Sequence, residues 1–133
     1  MNQLMKAIQV IEQETGSTVI TVRSNKEYKI VSNDFFSFKL RTNRWGAAIS
    51  SRDGFRLDLD FKKNLFDTLE LEKLTKLQVN APYGVTKIAH RKGPKFDTVT
   101  IFFKNNDAKV YDFTNEKFTG LLRKIKMGNR SAI

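Results

Sequence analysis

Two stretches of this chain interleave flat aromatic rings with cations: Phe35-Phe36-Ser37-Phe38-Lys39-Leu40-Arg41 and Thr100-Ile101-Phe102-Phe103-Lys104. Rings stack on unpaired bases and cations meet phosphates, so this mixture suits the holding of a single nucleic-acid strand. The two-residue period of a strand sorts these side chains into faces. Phe36, Phe38 and Leu40 point one way; Phe35, Ser37, Lys39 and Arg41 point the other. Phe55, Leu57 and Leu59 read as core, which turns Arg56 outward. Val99, Ile101 and Phe103 read as core, which turns Thr98, Thr100, Phe102 and Lys104 outward. Ala108 and Val110 suit the core, so Lys109 and Tyr111 face out. Loops add Arg44, Trp45, Tyr83, Lys87, His90, Arg91, Lys92 and Lys95. A competing reading buries Phe35 and Phe102 as a second core under a helix, since Phe is so often interior. Trp45 is read as a surface stacking residue because Arg44 precedes it, although Ala47 and Ile49 on its own strand face suit a core.

Other chemistry has thinner support. His90 is the single histidine and sits among cations, which gives little basis for a Ser–His–Asp arrangement or a histidine metal cluster. Asp58 and Asp60 share one strand face and have the spacing to hold magnesium; a solvated strand edge plus a helix cap is the favoured explanation. Asp97 followed by Asp107-Ala108-Lys109 mimics the acid…acid-x-Lys spacing of metal-dependent nucleases, and this is the enzyme alternative. Asp107 also has a ready role in a turn. No Gly-x-Gly-x-x-Gly run or Walker lysine loop is present. The expectation is a binding protein that is not an enzyme and needs no cofactor or metal.

Charge supports that expectation. The 133 residues carry 24 Lys+Arg against 14 Asp+Glu, a net +10. Residues 81–133 hold 11 basic and 4 acidic side chains, so the excess is concentrated there. Such a field attracts polyanions, with nucleic acid first and an acidic protein or membrane second. Cysteine is absent, which removes disulfides, thiol catalysis and thiolate metal sites and suits a reducing cytoplasm. No stretch approaches the roughly 20 apolar residues of a spanning helix, and the N-terminus does not read as a signal peptide.

The elements that must position these residues follow from periodicity. Residues 3–14 read as a helix with Leu4, Ile8 and Ile11 on one face and Gly16 as its stop. Strands are expected over 18–23, 28–32 and 35–41. A hairpin over 45–51 and 55–60 turns at Arg52-Asp53-Gly54. A middle helix is expected from Phe61 with Asp60 as N-cap, covering 62–69. Then come a strand over 85–90, a loop over 91–95 and a hairpin of 97–104 with 108–113. A last helix runs from Asn115, capped by Thr114, to Gly128, with Phe118, Leu121, Leu122 and Ile125 buried. Asp60-Phe61, Phe66 and Leu69 recur 52 residues later as Asp112-Phe113, Phe118 and Leu121, a possible mark of duplication. With no Pro/Gly/Ser-rich linker, residues 1–133 form one domain.

In size, lack of cysteine and aromatic-plus-basic strands, the chain resembles small phage-encoded single-stranded DNA-binding proteins, including those of lactococcal phages. That resemblance implies an OB-like barrel, a homodimer and a role in phage replication or recombination. The chain departs from bacterial single-strand binders in its basic C-terminus, Met127-Gly128-Asn129-Arg130-Ser131-Ala132-Ile133, which lacks their acidic tail. The possible duplication is instead similar to the sheet-plus-helix repeats of Whirly and Pur proteins. The combined expectation is a β-rich α+β domain of about seven to nine strands, as an antiparallel sheet or OB-like barrel with three helices. The duplicated plan is its alternative. Its expected partner is single-stranded DNA bound with little sequence preference; RNA is nearly as well suited, because stacking and charge do not read the sugar.

Overall fold

The structure is a computed structural model that describes residues 3–22, 35–67, 69–71, 87–104 and 111–132. Helix α1 (Gln3–Thr15) buries Leu4, Ala7, Ile8, Val10 and Ile11 on one stripe. It ends where Gly16 takes the left-handed conformation (φ 69°) and donates its N–H to the Glu12 carbonyl at 2.9 Å. Strands β1 (Thr18–Val22), β2 (Phe35–Leu40), β3 (Asn43–Ser51) and β4 (Gly54–Lys62) then form a meander. Strand β6 (Phe96–Lys104) pairs with β4 along its whole length, from Gly54 opposite Lys104 to Lys62 opposite Phe96. Strand β5 (Lys87–Lys92) lies outside β6, so the antiparallel order is β1-β2-β3-β4-β6-β5.

The fold is thus α+β, and its described strands make a six-stranded open sheet rather than seven to nine strands or a closed barrel. The expected strand at 28–32 lies outside the described residues, as do 108–110. Residues 111–113, expected to finish a strand, instead lead into a turn. The fifth strand also runs two residues further than expected, which puts Arg91 and Lys92 in the sheet.

Two other boundaries moved for identifiable reasons. Asp60 is not a helix cap. It stays in β4, where its carboxylate accepts the Thr98 hydroxyl at 2.7 Å, and the strand continues to Lys62. Asn64 (φ 64°) then turns the chain, and a helical turn at 69–71 begins only after Asp67. There Asp67 Oδ1 accepts the Glu70 N–H at 2.7 Å and Glu70 Oε1 accepts the Asp67 N–H at 3.4 Å, a reciprocal cap. At the last helix, α2 (Glu116–Ala132), Asn115 is the cap, its Oδ1 accepting the Phe118 N–H at 2.9 Å. Thr114 spends its hydroxyl on Asp112. Gly128 does not stop α2; a Cβ there would come within 3.0 Å of Leu65, so glycine permits a close approach.

Both helices cover one sheet face. Phe36, Phe38, Phe55, Leu57, Leu59, Phe61, Val99, Ile101 and Phe103 meet α1 and the expected α2 stripe, Phe118, Leu121, Leu122 and Ile125. Arg123 grips Glu14 through two nitrogens at 2.7 and 3.3 Å, tying α2 to α1. The residues of the suspected repeat occupy different local structures. Asp60-Phe61 is strand and Asp112-Phe113 precedes a helix, while Leu69 is exposed and Leu121 buried. Among the described residues no helix is long and apolar enough to cross a membrane.

Candidate nucleic-acid interface

The second sheet face carries no helix among the described residues, and register sorts it into three cross-strand rows. In the first row Phe35, Ile49, Arg56 and Phe102 lie side by side on β2, β3, β4 and β6, and the register continues to Lys87 on β5. The next row is mostly small or short: Ser37, Ala47, Asp58 and Thr100. The third aligns Asp60, Thr98 and Arg91 on β4, β6 and β5, while at the same end of the sheet Lys39 is in register with Thr18 and Arg44. Phe35 and Phe102 are half-buried, three strand spacings apart, or roughly 14 Å. That separation lets each ring meet a different base of one strand.

The acids on this face are engaged. Asp58 accepts from Arg56 Nε at 3.2 Å and from the Thr100 hydroxyl at 2.9 Å, and Asp60 is bound by Thr98. Arg56 remains exposed and keeps its other guanidinium N–H groups for a further acceptor.

All six strands bring one end to the same rim, and that rim is cationic. Lys39, Arg41, Arg44, Lys62, Lys63, Arg91, Lys92 and Lys95 stand there, every one except half-buried Lys39 exposed. Lys63 and Lys92 brace the turns, donating to the Gly93 carbonyl at 2.7 Å and to Asn64 Oδ1 at 3.0 Å. Lys62 and Lys63 were not expected in the site. A helical assignment hid them, and Asp67-Thr68-Leu69-Glu70, a capping-box pattern, was the signal that the helix begins later.

A β-bulge between β2 and β3 overturns the reading of Trp45. Phe38 pairs with Gly46 but Lys39 pairs with Arg44, so Trp45 is the extra residue. Strict alternation would put Trp45 outside with Ala47 and Ile49. The bulge swings it under the helices, where it is 4% exposed, packs 5.8 Å from Phe38 and donates its indole N–H to Ser17 Oγ at 2.8 Å. The same bulge moves Arg44 to the open face, its guanidinium 5.1 Å from the Phe35 ring centre. Tyr111 is also a core residue rather than a surface one. It packs on Phe103, Phe113 and Phe118, and burial pushes its phenol pKa up, against a hydrogen bond with Asn115.

Of the other expected contacts, Lys104 is exposed at the opposite sheet end, in register with Gly54, and Lys109 lies outside the described residues. His90 lies in β5 and stacks on Phe61, 6.1 Å between ring centres. Of the residues named for a nuclease, only Asp97 lies among the described residues. Asp97 is fully buried and accepts the Asn64 N–H at 3.0 Å, while Asp107 and Lys109 lie outside them. No group of three potential metal-ligating side chains occurs among the described residues. No protein-family model, curated protein or solved structure matches the chain.

Proposed function

We propose that the open sheet face binds single-stranded DNA with little sequence preference, without catalysis. One observation carries this reading: Phe35, Arg56 and Phe102 fall in a single cross-strand row, on a face that carries no helix among the described residues and is bordered by a cationic rim. The two rings supply sequence-tolerant stacking and the rim supplies phosphate contacts. A duplex presents neither unstacked bases nor a backbone narrow enough to follow the row, so single strands are the preferred partner. A homodimer and a part in replication or recombination belong to the same proposal.

The test is a binding titration of labelled single-stranded DNA, single-stranded RNA and duplex at several salt concentrations. With about five phosphates neutralised, log K should fall against log salt with a slope of about −3.5. A slope near zero for every nucleic acid, or a preference for duplex, would overturn the reading. Equal affinity for RNA would widen the partner class without moving the site.

A further inference from the structure

Phe96 opens β6 and is the one exposed aromatic ring among the described residues, at 49%. Parity puts it on the open face. Thr98, Thr100 and Phe102 follow it at steps of two, while Asp97, Val99, Ile101 and Phe103 are buried on the other side. Its backbone is held from two directions. It pairs with Lys62 of β4, and its carbonyl accepts the Gly93 N–H at 2.9 Å across a turn so tight that a Cβ on Gly93 would lie 2.5 Å from that oxygen. Cations surround the ring. Lys62 is its cross-strand neighbour and Lys95 precedes it, both exposed. Arg44 lines with it a cavity of about 360 Å³, which leaves open space beside the ring, and the Arg44 guanidinium lies 5.1 Å from the Phe35 ring centre. On the other flank Arg91 is in register with Thr98, between Phe96 and Phe102. The aromatic-plus-cation makeup of the Phe35–Phe102 row thus recurs on the same face, six residues or roughly 20 Å along β6 from Phe102.

We propose that Phe96 is a third stacking platform, so that a bound single strand runs from the Phe35–Phe102 row along β6 to the rim and lays one further base on this ring. The proposal rests on the nucleic-acid reading above. Thr100 and Thr98 lie between the two β6 rings, and their hydroxyls already donate to Asp58 and Asp60, so this stretch aims no free hydroxyl donor at a base. Phosphates passing it meet Arg91, and those beside the base on Phe96 meet Lys62, Lys95 and Arg44. Every base has a flat face, so the added contact lengthens the site without making it selective for sequence.

Oligo(dT) and oligo(dC) of about 16 nucleotides, the upper end of site sizes for single-strand grooves, test this on the full chain by anisotropy. Phe96→Ala should weaken both by about tenfold, within the range for one lost base stack. It should leave the salt slope and the urea midpoint unchanged, because the ring carries no charge and lies outside the core. Phe96→Trp should bind as tightly as wild type, and either oligonucleotide should quench the introduced indole beyond any change that Trp45, the single native tryptophan, shows in the wild type. Unchanged affinity in Phe96→Ala, a loss confined to one oligonucleotide, or an unquenched indole in Phe96→Trp would overturn the proposal. The sheet-face reading would still stand if Phe35→Ala and Phe102→Ala weaken binding. Binding of neither oligonucleotide by the wild type would overturn both.

Discussion

Trp45 is held by a relay of hydroxyls. The Thr15 hydroxyl donates to the Ile11 carbonyl, so the Ser17 hydroxyl must donate to Thr15 Oγ1 (2.7 Å) while its oxygen accepts the indole N–H. Ser17→Ala leaves that buried N–H without its acceptor and should cost about 1–3 kcal/mol. Trp45→Ala removes the ring itself and should cost about 3–5 kcal/mol. Both are read as urea midpoints with an unchanged slope; a Trp45→Ala loss below about 1 kcal/mol would place the ring outside the core. Tyr111 carries a pH dependence. Its folded pKa is raised by burial, so the native state holds the proton where an exposed tyrosine, at about 10, has lost it. The stability it contributes is fully present below pH of about 10 and is lost as pH rises through the higher folded value. Urea midpoints should therefore fall in that alkaline window, and Tyr111→Phe should flatten the fall.

At the scale of elements, the α2 start separates two adjacent residues with the same chemistry. Thr114 and Asn115 are both good caps by type, and the sequence reading places the cap at Thr114. Asn115 wins because its Oδ1 reaches the N–H three residues on, while Asp112 already occupies the Thr114 hydroxyl and backbone N–H. Those two bonds also hold the Asp112 carboxyl below its usual pKa. Asn115→Ala should cost about 1 kcal/mol, within the cap range of about 0.5–2, and should fray the first turn in hydrogen exchange at Phe118 and Thr119. A loss larger for Thr114→Ala than for Asn115→Ala would reassign the cap. The middle of the chain teaches the same lesson from the other side. Asp60 has the type of a cap, but its carboxylate accepts the cross-strand Thr98 hydroxyl instead, and β4 runs on past it.

At the scale of the whole molecule, one sheet divides the labour: helices and core on one face, aromatic row and cations on the other. Adjacent residues in β2 test this division. Phe36→Ala, on the core face, should cost about 3–5 kcal/mol of folding free energy. Phe35→Ala and Phe102→Ala should cost less stability, weaken single-strand binding by about 1–3 kcal/mol each and leave the salt slope unchanged. Arg56→Ala should instead reduce the slope by about 0.7, one phosphate contact. Fluorescence titration at three salt concentrations measures both quantities. An aromatic variant that binds as tightly as wild type would remove that ring from the interface.

Face assignment was legible wherever alternation is unbroken. The period of two alone places Leu57, Leu59, Val99 and Ile101 inside and Arg56 and Phe102 outside, because successive strand residues point oppositely. The period of helix α1 and its Gly16 stop were equally local. Tertiary structure decided what local pattern does not encode. The pairing of β4 with β6 set Phe102 beside Arg56 and, across β3, in line with Phe35. Packing around Gly46, where a Cβ would lie 2.9 Å from the Asp58 carbonyl and 3.2 Å from the Phe38 ring, left room for no side chain. One inserted residue beside it reversed the parity of β3, sending Trp45 inward and Arg44 outward. Alternation is a statement about one strand, whereas a bulge is a mismatch between two, so only the paired sheet reveals it.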